Sequence, residues 1–412
     1  MQTRHWTNLA AFLAVLALLA GCAGQMEMIK GEARLKDKQY NEAIPFFREA
    51  LAANPDNSSA RTRLGFALLK TGKLDEAEKE LNQVLRLKPG DSLATLYLGI
   101  AYASKGETGK AIELWRDFNS PTQPLVEAEI KRQLTLLQIV HGQRLAKQAL
   151  ADEAKLGARA PDANTVAVCY FEDLTSNKSL GAFQKGLAAM VATDLTKVKA
   201  FKVVERTRLQ ALLAEMKLGQ TGIVNLKTAP RVGRLLGADK LVVGSLAKGS
   251  IEVAMTLSSA GKASVLGSTQ LSVPTERFYT LPAAMIQSMA RIAGVPLSPA
   301  AAAAIGIPHT QNIKAFTLYG QALEALDAGK WQEAKDLFSQ ALAEDPKFDL
   351  AREGAEGSPS GDAPGISALS AMPASQLSNL AESALEAAQA SQSAADAAAA
   401  ADGASGGGGG GY

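Results

Sequence analysis

The residues best suited to covalent chemistry in this sequence are its two cysteines, Cys22 and Cys169. Cys22 follows Leu19, Ala20 and Gly21, so an apolar residue and two small residues lead directly to a thiol. The small residues would fit a narrow peptidase site, and the thiol is a nucleophile that can receive a modifying group. Cys169 lies inside an apolar segment, where a cysteine usually behaves as a small hydrophobic residue. We therefore expect modification at Cys22 and a structural role for Cys169.

The segment before Cys22 has the composition of a targeting signal. Arg4 and His5 give a weakly basic start, and Leu9 to Ala20 is apolar and uncharged. This run is shorter than the roughly 20 residues that cross a bilayer as a helix, and it fits the apolar region of a secretory signal. Together with Leu19–Cys22, the segment resembles the signal peptide and lipobox of bacterial lipoproteins.

This resemblance implies a signal peptide over 1–21 and a lipidated N-terminus over 22–30, with the covalent lipid on Cys22 as the only cofactor. Ala23, rather than Asp, follows the cysteine, which in bacterial lipoproteins favours the outer membrane with the protein facing the periplasm. Several acyl chains anchor a protein stably, whereas a single chain binds reversibly. An ordinary cleaved signal with an incidental cysteine is the alternative.

The composition excludes some classes of partner. The 412 residues include 43 Lys and Arg against 41 Asp and Glu, a balance too even to favour nucleic acid. The length fits two or three domains, and the low aromatic content of 5% fits Ala-rich helices. If Cys22 is lipidated, no internal disulfide can form.

We expect no metal site and no catalytic site. His141 and His309, the histidines beyond the signal segment, have no second histidine three or four residues away. Glu172–Lys178 follows a predicted strand but contains no Gly, which argues against a phosphate-binding loop. Glu205–Arg206 is interpreted as a structural pair at the start of a helix, with the arginine paired locally. The sequence therefore favours a protein that is not an enzyme.

One pattern recurs every 34 residues after the expected anchor. Small residues stand where paired helices would cross, a large apolar residue fills the space between them, and proline ends the unit. The positions are Gly31, Gly65 and Gly99; Ala43, Ala77 and Ala111; Phe47, Leu81 and Trp115; and Pro55 and Pro89, and Tyr102 strengthens the third unit. This resembles the tetratricopeptide repeat, which implies three repeats over 31–124 that bind a protein client on a concave surface.

A fourth copy of the pattern lies in 312–350. Its positions are Gly329, Ala334, Phe338, Ala341 and Pro346. One isolated unit cannot bury both of its faces, so we expect Ala315 to Phe348 to pack on another domain or on another chain. A plain helical hairpin fits the pattern equally well.

The region between the repeats predicts a long amphipathic helix over 125–158 and a mixed-sheet α/β domain over 160–300. Strands are expected over 165–171, 201–205 and 241–246, with a hairpin over 251–273. Helices over 180–197, 206–218, 229–236 and 276–292 would cover the sheet. The fold class is thus a multidomain protein: an α-solenoid of repeats, a mixed-sheet α/β domain, an extra helical hairpin and a disordered, low-complexity Ala/Ser/Gly tail over 351–412.

The central domain carries a second family resemblance, spread over many short motifs. They are Val166-Ala167-Val168 with Phe171, Gly186-Leu187-Ala188, Asp194-Leu195, Val203-Val204-Glu205-Arg206, Leu209, Leu218-Gly219-Gln220 with Gly222, Gly237-Ala238 and Val243-Gly244-Ser245. Over roughly 164–275 the sequence resembles the CsgG family of curli production assembly and transport lipoproteins. The resemblance implies an envelope lipoprotein whose periplasmic domain often assembles into rings. The curli channel has two membrane-crossing hairpins, but only the 251–273 hairpin is available here, so a soluble member is favoured over a pore.

These expectations combine into one leading hypothesis and two alternatives. The leading hypothesis is an outer-membrane-anchored periplasmic lipoprotein that acts as a protein-binding scaffold in assembly or secretion of a cell-envelope or surface structure. The alternatives are an oligomeric curli-type secretion channel subunit and a lipoprotein activator of peptidoglycan synthases. The expected partners are a protein client on the repeats and the membrane through the lipid anchor, with a homo-oligomer left open and nucleic acid excluded.

Overall fold

The computed structural model of the protein describes residues 24–156, 161–216, 224–247, 251–261, 264–359, 361 and 363. The expected signal peptide and lipobox, Leu19–Cys22 included, lie outside the described residues. So do the motif around Leu218–Gly222 and the tail from residue 364 onward. The described residues form two compact units, one up to Leu134 and the other from Thr135 onward.

The first unit consists of helices that pack in consecutive pairs. They are α1 (24–36), α2 (Tyr40–Ala53), α3 (Ser58–Lys70), α4 (Leu74–Leu87), α5 (Ser92–Ser104), α6 (Thr108–Trp115) and the start of α7 (Pro124–Ala151). Helices α2 and α3, α3 and α4, α4 and α5, and α5 and α6 contact each other in turn. This is the repeated helical stack that the sequence predicted, and it confirms the α-solenoid part of the fold class.

A glycine opposite a large side chain sets the spacing within each helix pair. A Cβ atom on Gly65 would lie 2.6 Å from Cδ2 of Leu81, and one on Gly99 would lie 2.0 Å from Cε2 of Trp115. Gly31 and Phe47 form the same pair in the first repeat, at 2.7 Å. These distances are shorter than carbon–carbon contacts between packed side chains, so any larger residue at these positions would push the facing side chain aside.

The second unit is built around a mixed sheet. Its strands are β1 (Asp162–Val168), β2 (Glu172–Asp173), β3 (Lys202–Val203), β4 (Ala238–Ala247), β5 (Ile251–Ser259) and β6 (Ser264–Val273). The strand order is β3-β1-β4-β5-β6, and β2 pairs with β4 beside β1. Pairing is parallel among β1, β2, β3 and β4 and antiparallel in β4–β5 and β5–β6.

Helices account for the rest of the second unit. They are α8 (Glu153–Leu156), α9 (Gly181–Thr196), α10 (Arg206–Glu215), α11 (Ala229–Leu236), a 3-10 helix (Thr275–Thr280), α12 (Leu281–Ala293), α13 (Pro299–Ile305), α14 (Ile313–Asp327), α15 (Trp331–Glu344) and α16 (Asp349–Gly357). No helix in the described ranges combines the length and apolar character that a bilayer crossing requires.

Several elements differ from the sequence-based prediction. The first predicted strand, over 165–171, is displaced: β1 begins at Asp162 and ends at Val168. Cys169, Tyr170 and Phe171, which follow it, are buried as expected, and the short strand β2 comes after them. The predicted closing helix over 276–292 begins as a 3-10 helix, because Arg277 departs from helical backbone angles and Pro282 starts the α-helix afresh. Helix α16 extends past the boundary at residue 350, where the tail was expected to begin.

The two faces of the sheet are covered unequally. Helices α9 and α12 pack on each other and on one face, which we call the covered face; there Ile292 contacts Gly267. Helix α11 packs on the opposite side near Leu241. The remainder of that side, on β5 and β6, is exposed and is called the open face. The sequence predicted a sheet covered by helices, but this part of the sheet has no helix on it. Alternate residues of β5 and β6 that point to the open face are mostly polar or small, so they need no cover.

The fourth repeat-like unit packs on the central domain through α14 and α9. Phe316 lies between Phe183 and Phe278, with ring centroids 4.6 Å and 4.9 Å apart. A Cβ atom on Gly320 would lie 1.9 Å from the carbonyl oxygen of Ala182, so the two helices approach at backbone contact. Of the two packing partners expected for Ala315 to Phe348, another domain of the same chain is the one found.

Buried charges accompany this packing. The carboxylate of Asp327, at the end of α14, is 6% exposed and accepts hydrogen bonds from Arg206 and Tyr170. Lys185 Nζ lies 3.0 Å from the same carboxylate. The expectation that Arg206 pairs locally is therefore wrong: its partner lies 121 residues further along the chain. A carboxylate shared by two cations at this depth favours the docked position, because removing it would leave both cations without a counter-charge.

We predict that Gly320→Ala loosens the docking of α14 on α9. The added methyl group collides with a backbone carbonyl that cannot rotate away, which should cost about 1–3 kcal/mol of the free energy of unfolding. Thermal and urea denaturation of the purified protein measure this cost. Gly181→Ala is the matched control, because a Cβ atom there meets nothing within 4 Å. Equal unfolding midpoints for the two variants would contradict the proposed close contact.

Candidate binding cleft of the repeats

A cleft lies along the first helices of successive repeats, α1, α3 and α5. Its volume is about 250 Å³. The lining residues come from these helices and from the turns between repeats: Leu35, Ser58, Ser59, Thr62, Arg63, Phe66, Lys88, Asp91, Leu93, Tyr97 and Gln123. The repeats thus form a concave site from residues that are distant in sequence.

The floor of the cleft is apolar and aromatic. Phe66 and Tyr97 are 3% and 5% exposed, and their ring centroids are 5.2 Å apart. Tyr40 extends the row by an edge-on contact with Phe66 at 5.8 Å. Leu35 is also buried at the floor, and Leu93 is half-buried beside it. The packing of these rings on each other makes the floor rigid, so the cleft is formed before any partner binds.

Charged groups of both signs stand at the rim of the cleft. Arg63 Nε lies 2.7 Å from Glu32 Oε1. Lys88 is exposed, whereas the carboxylate of Asp91 accepts a hydrogen bond from the amide of Ala94 at 2.9 Å. Burial raises the pKa of the Tyr97 hydroxyl well above its usual range, so this group stays neutral. The cleft is therefore suited to an apolar side chain with polar or charged neighbours, rather than to a purely anionic ligand.

The repeat-core positions singled out in the sequence lie behind the cleft. Those that are buried are Ala43, Phe47, Leu81, Ala77, Ala111 and Trp115, together with Gly31, Gly65 and Gly99. Pro55 and Pro89 are exposed in the turns after α2 and α4. Tyr102 is half-buried, with Lys110 Nζ 5.3 Å from its ring centroid. These residues position the cleft without lining it.

Sequence reasoning missed the residues that form the cleft itself. Phe66 and Tyr97 do not occupy equivalent positions in their repeats, so a search at the repeat spacing passes over them. Asn57 and Asp91 do recur at that spacing, and both cap helices: Asn57 accepts a hydrogen bond from the amide of Ala60 at 3.0 Å. Asn or Asp directly before a helical segment commonly marks the start of a helix. Asn57 and Asp91 could therefore have been used to predict where α3 and α5 begin.

The reactive side chains of the second unit take part in structural contacts. Cys169 is fully buried, and burial raises the pKa of its thiol to about 12. His141 is half-buried on α7, and burial lowers the pKa of its imidazole. His309 Nε2 lies 2.9 Å from Asp194 Oδ1, which Lys197 also contacts at 2.6 Å. In the described ranges no group of three or more His, Cys, Asp or Glu side chains is placed to hold a metal ion.

The segment between β2 and α9 is organised by its own carboxylate. Asp173 is 1% exposed and accepts hydrogen bonds from the amides of Thr175 and Leu180, both at 2.8 Å, and from the hydroxyl of Thr175. Burial alone would raise the pKa of Asp173, but these hydrogen bonds outweigh it and the net shift is downward. The carboxylate thus accepts a hydrogen bond from the amide of Leu180, directly before α9.

Comparison with protein families assigns the three parts of the chain. Residues 147–273 match the curli production assembly/transport component CsgG. Residues 34–97 and 319–355 match tetratricopeptide repeats. These matches confirm the family resemblances seen in the sequence. Both families are non-catalytic, and tetratricopeptide repeats bind protein partners. Comparison with curated proteins gave no match.

Among solved structures the similarities are weak and concern the helical repeats. The tetratricopeptide domain of Arabidopsis OM64 is 23% identical, with 27% of this chain and 96% of that chain covered and a TM-score of 0.24. The second tetratricopeptide domain of human RPAP3, solved with the HSP70 peptide SGPTIEEVD, is 22% identical, with 28% and 98% covered and a TM-score of 0.24. A tetratricopeptide repeat protein from Parabacteroides merdae is 12% identical, with 82% and 99% covered and a TM-score of 0.27. Likenesses this low carry no argument about function.

We predict that Asp173→Asn destabilises the second unit by about 1–3 kcal/mol, because the amide cannot accept all the hydrogen bonds that the carboxylate accepts. The folded pKa of Asp173 is lowered, so its contribution is present above the ordinary aspartate pKa of 3.8 and is lost as the pH falls through the folded value. Urea denaturation from neutral to acidic pH should show a difference that narrows in acid. Glu172→Gln, at the exposed neighbour, is the control; a difference that widens in acid would contradict this account.

Proposed function

Because the chain carries a CsgG domain between two sets of tetratricopeptide repeats, we propose that it is a lipid-anchored scaffold on the periplasmic side of the outer membrane. It holds a protein client on its N-terminal repeats and acts in assembly or secretion of a cell-envelope or surface structure. Its role is to bind and position other proteins rather than to transform a substrate.

The observation that carries this proposal is the cleft of about 250 Å³ across three successive first helices of the repeats. Leu93 and Lys88 remain accessible on its walls above the buried floor of Phe66 and Tyr97, so a segment that enters it would meet apolar and charged groups together. The mixed charges at its rim fit a peptide segment, whose backbone and side chains bring donors and acceptors together with an apolar anchor. The cleft is large enough for one bulky side chain, which would act as the centre of the interface.

The proposed anchor rests on the sequence around Cys22 and on the surface that follows it. Met26 and Ile29, on the first described turns of α1, are 55% and 58% exposed. Large apolar side chains that close to a lipidated cysteine would enter the interfacial layer of a bilayer and add to the hold of the acyl chains. The even charge balance of the protein makes lipid, rather than electrostatic attraction, the source of membrane binding.

We predict that Leu93→Glu abolishes client binding while the repeats remain folded. A carboxylate at the half-buried cleft position would have to be desolvated against the apolar anchor of the client. Affinity purification of the full-length, detergent-extracted protein, with quantitative mass spectrometry, measures this loss. Leu87→Glu is the matched control, because Leu87 is exposed on α4 and does not line the cleft. A client that is retained equally by both variants would exclude the cleft as its site.

Cys22→Ala should release the protein from the membrane. Without the thiol no diacylglyceryl group can be attached, so incorporation of labelled palmitate should fall to background and the protein should leave the membrane fraction. Cys169→Ala is the control, because it removes the other, buried thiol. Unchanged labelling and membrane association of Cys22→Ala would refute the proposed anchor.

A further inference from the structure

The last strand of the central sheet, β6, has one free edge in the described part of the chain. The sheet order places β6 at the end opposite β3, and β5 is its pairing partner. The two ends differ in length: β3 is a two-residue strand, whereas β6 runs from Ser264 to Val273. Each alternate residue of β6 therefore directs its backbone amide and carbonyl away from β5, toward the position of a further strand.

Most of β6 lacks the features that normally protect such an edge; the exception is a bulge near its start, where the pairing register with β5 shifts between Leu257 and Ser258. Proteins usually discourage pairing at an edge strand with charged side chains, with proline or by keeping the strand short. Ser264–Val273 contains no Lys, Arg, Asp, Glu or Pro, and it is as long as β4. Val265 and Leu266, near its start, are 52% and 39% exposed. An edge with this composition is built to be paired.

Residues of β6 on the covered face are less buried than their neighbours on β5. On the covered face, Val253, Met255 and Leu257 of β5 are buried. Their neighbours on β6, Leu271, Thr269 and Gly267, are only half-buried, although α12 packs against this strand. An additional strand beside β6 would cover these residues from the edge and bring them to the burial that β5 already has.

We propose that β6 pairs antiparallel with β6 of a second copy of this chain, so that two central domains form one continuous sheet. A two-fold axis perpendicular to the sheet keeps the covered faces of both copies on the same side of the joined sheet. The side chains of both β6 strands then keep their places on the covered and open faces. Near the axis each side chain lies close to its own copy, so charges there would repel each other. The absence of charge from β6 makes it compatible with itself.

The open face supports the same arrangement. Along β6 this face carries Ser268 and Gln270, and Ser268 shares a hydrogen bond with Thr256 of β5 at 3.0 Å. Short hydroxyl and amide side chains can continue such hydrogen bonds across the axis without clashing. The pairing goes beyond the proposed scaffold function, since it concerns the central domain and requires neither the client nor the cleft.

Disulfide trapping tests the pairing directly. Single cysteines replace Leu266, Ser268 or Gln270 in the full-length, lipidated protein carrying Cys169→Ala, and mild oxidation follows extraction in detergent. Antiparallel pairing about a two-fold axis predicts one position with strong dimer formation and a decline on both sides of it. Ser339→Cys, exposed on α15, is the control and should stay monomeric. Equal trapping at every position, or trapping only at the control, would overturn the proposal.

A charge variant provides the second measurement. Gln270→Lys places like charges near each other across the axis, while its exposed side chain leaves the fold unaffected. Light scattering over a range of concentrations should then show a dimer dissociation constant raised at least about tenfold, with an unchanged melting temperature. Ser339→Lys is the matched control. A protein that is monomeric at every concentration, or a dimer that Gln270→Lys does not weaken, would overturn the proposal. Client capture is scored separately, so failure of the scaffold function would not be mistaken for failure of the pairing.

Discussion

The close contact that a glycine permits on the face of a helix is the constraint on which this structure depends. In each N-terminal repeat the missing side chain of a glycine admits one large residue, from Phe47 to Trp115, and this contact fixes how the two helices cross. Because the contact repeats, the helices stack in register and their first members line a common cleft. Any side chain at Gly99 would displace Trp115, whose Nε1 donates to the carbonyl oxygen of Thr95 at 3.0 Å. The shape of the cleft thus depends on how the glycines and the large side chains pack between the helices.

The same constraint explains why a lone repeat-like hairpin can exist in the second unit. A single unit leaves one helical face without a neighbour, and here α9 of the CsgG domain supplies that neighbour. Gly320 lets α14 approach the backbone of Ala182 closely, and Phe316 packs against Phe183. At the end of α14, Asp327 forms an ion pair with Lys185. The hairpin is therefore part of the central domain, and the cleft of the N-terminal repeats is the surface left available to a client.

Local and periodic features were predictable from sequence, whereas contacts between distant segments were not. The repeats were found because glycine and large apolar residues recur at one spacing, and the helix over Ala229–Leu236 was placed correctly from its apolar pattern. The partner of Arg206 could not be found, since no local pattern links it to Asp327. Strand β3 proved shorter than predicted because it pairs with β1 at only two residues. The cleft floor escaped prediction because Phe66 and Tyr97 are not in phase with the repeats.

If the cleft of the repeats holds a protein, site-specific photo-crosslinking in intact cells will capture it. A photoreactive amino acid at Ser59, on the cleft, is compared with one at Glu49, which is exposed on α2 and outside the cleft. We expect a discrete crosslinked protein from Ser59 and none from Glu49. The same product from both positions, or a product from Glu49 alone, would contradict this expectation.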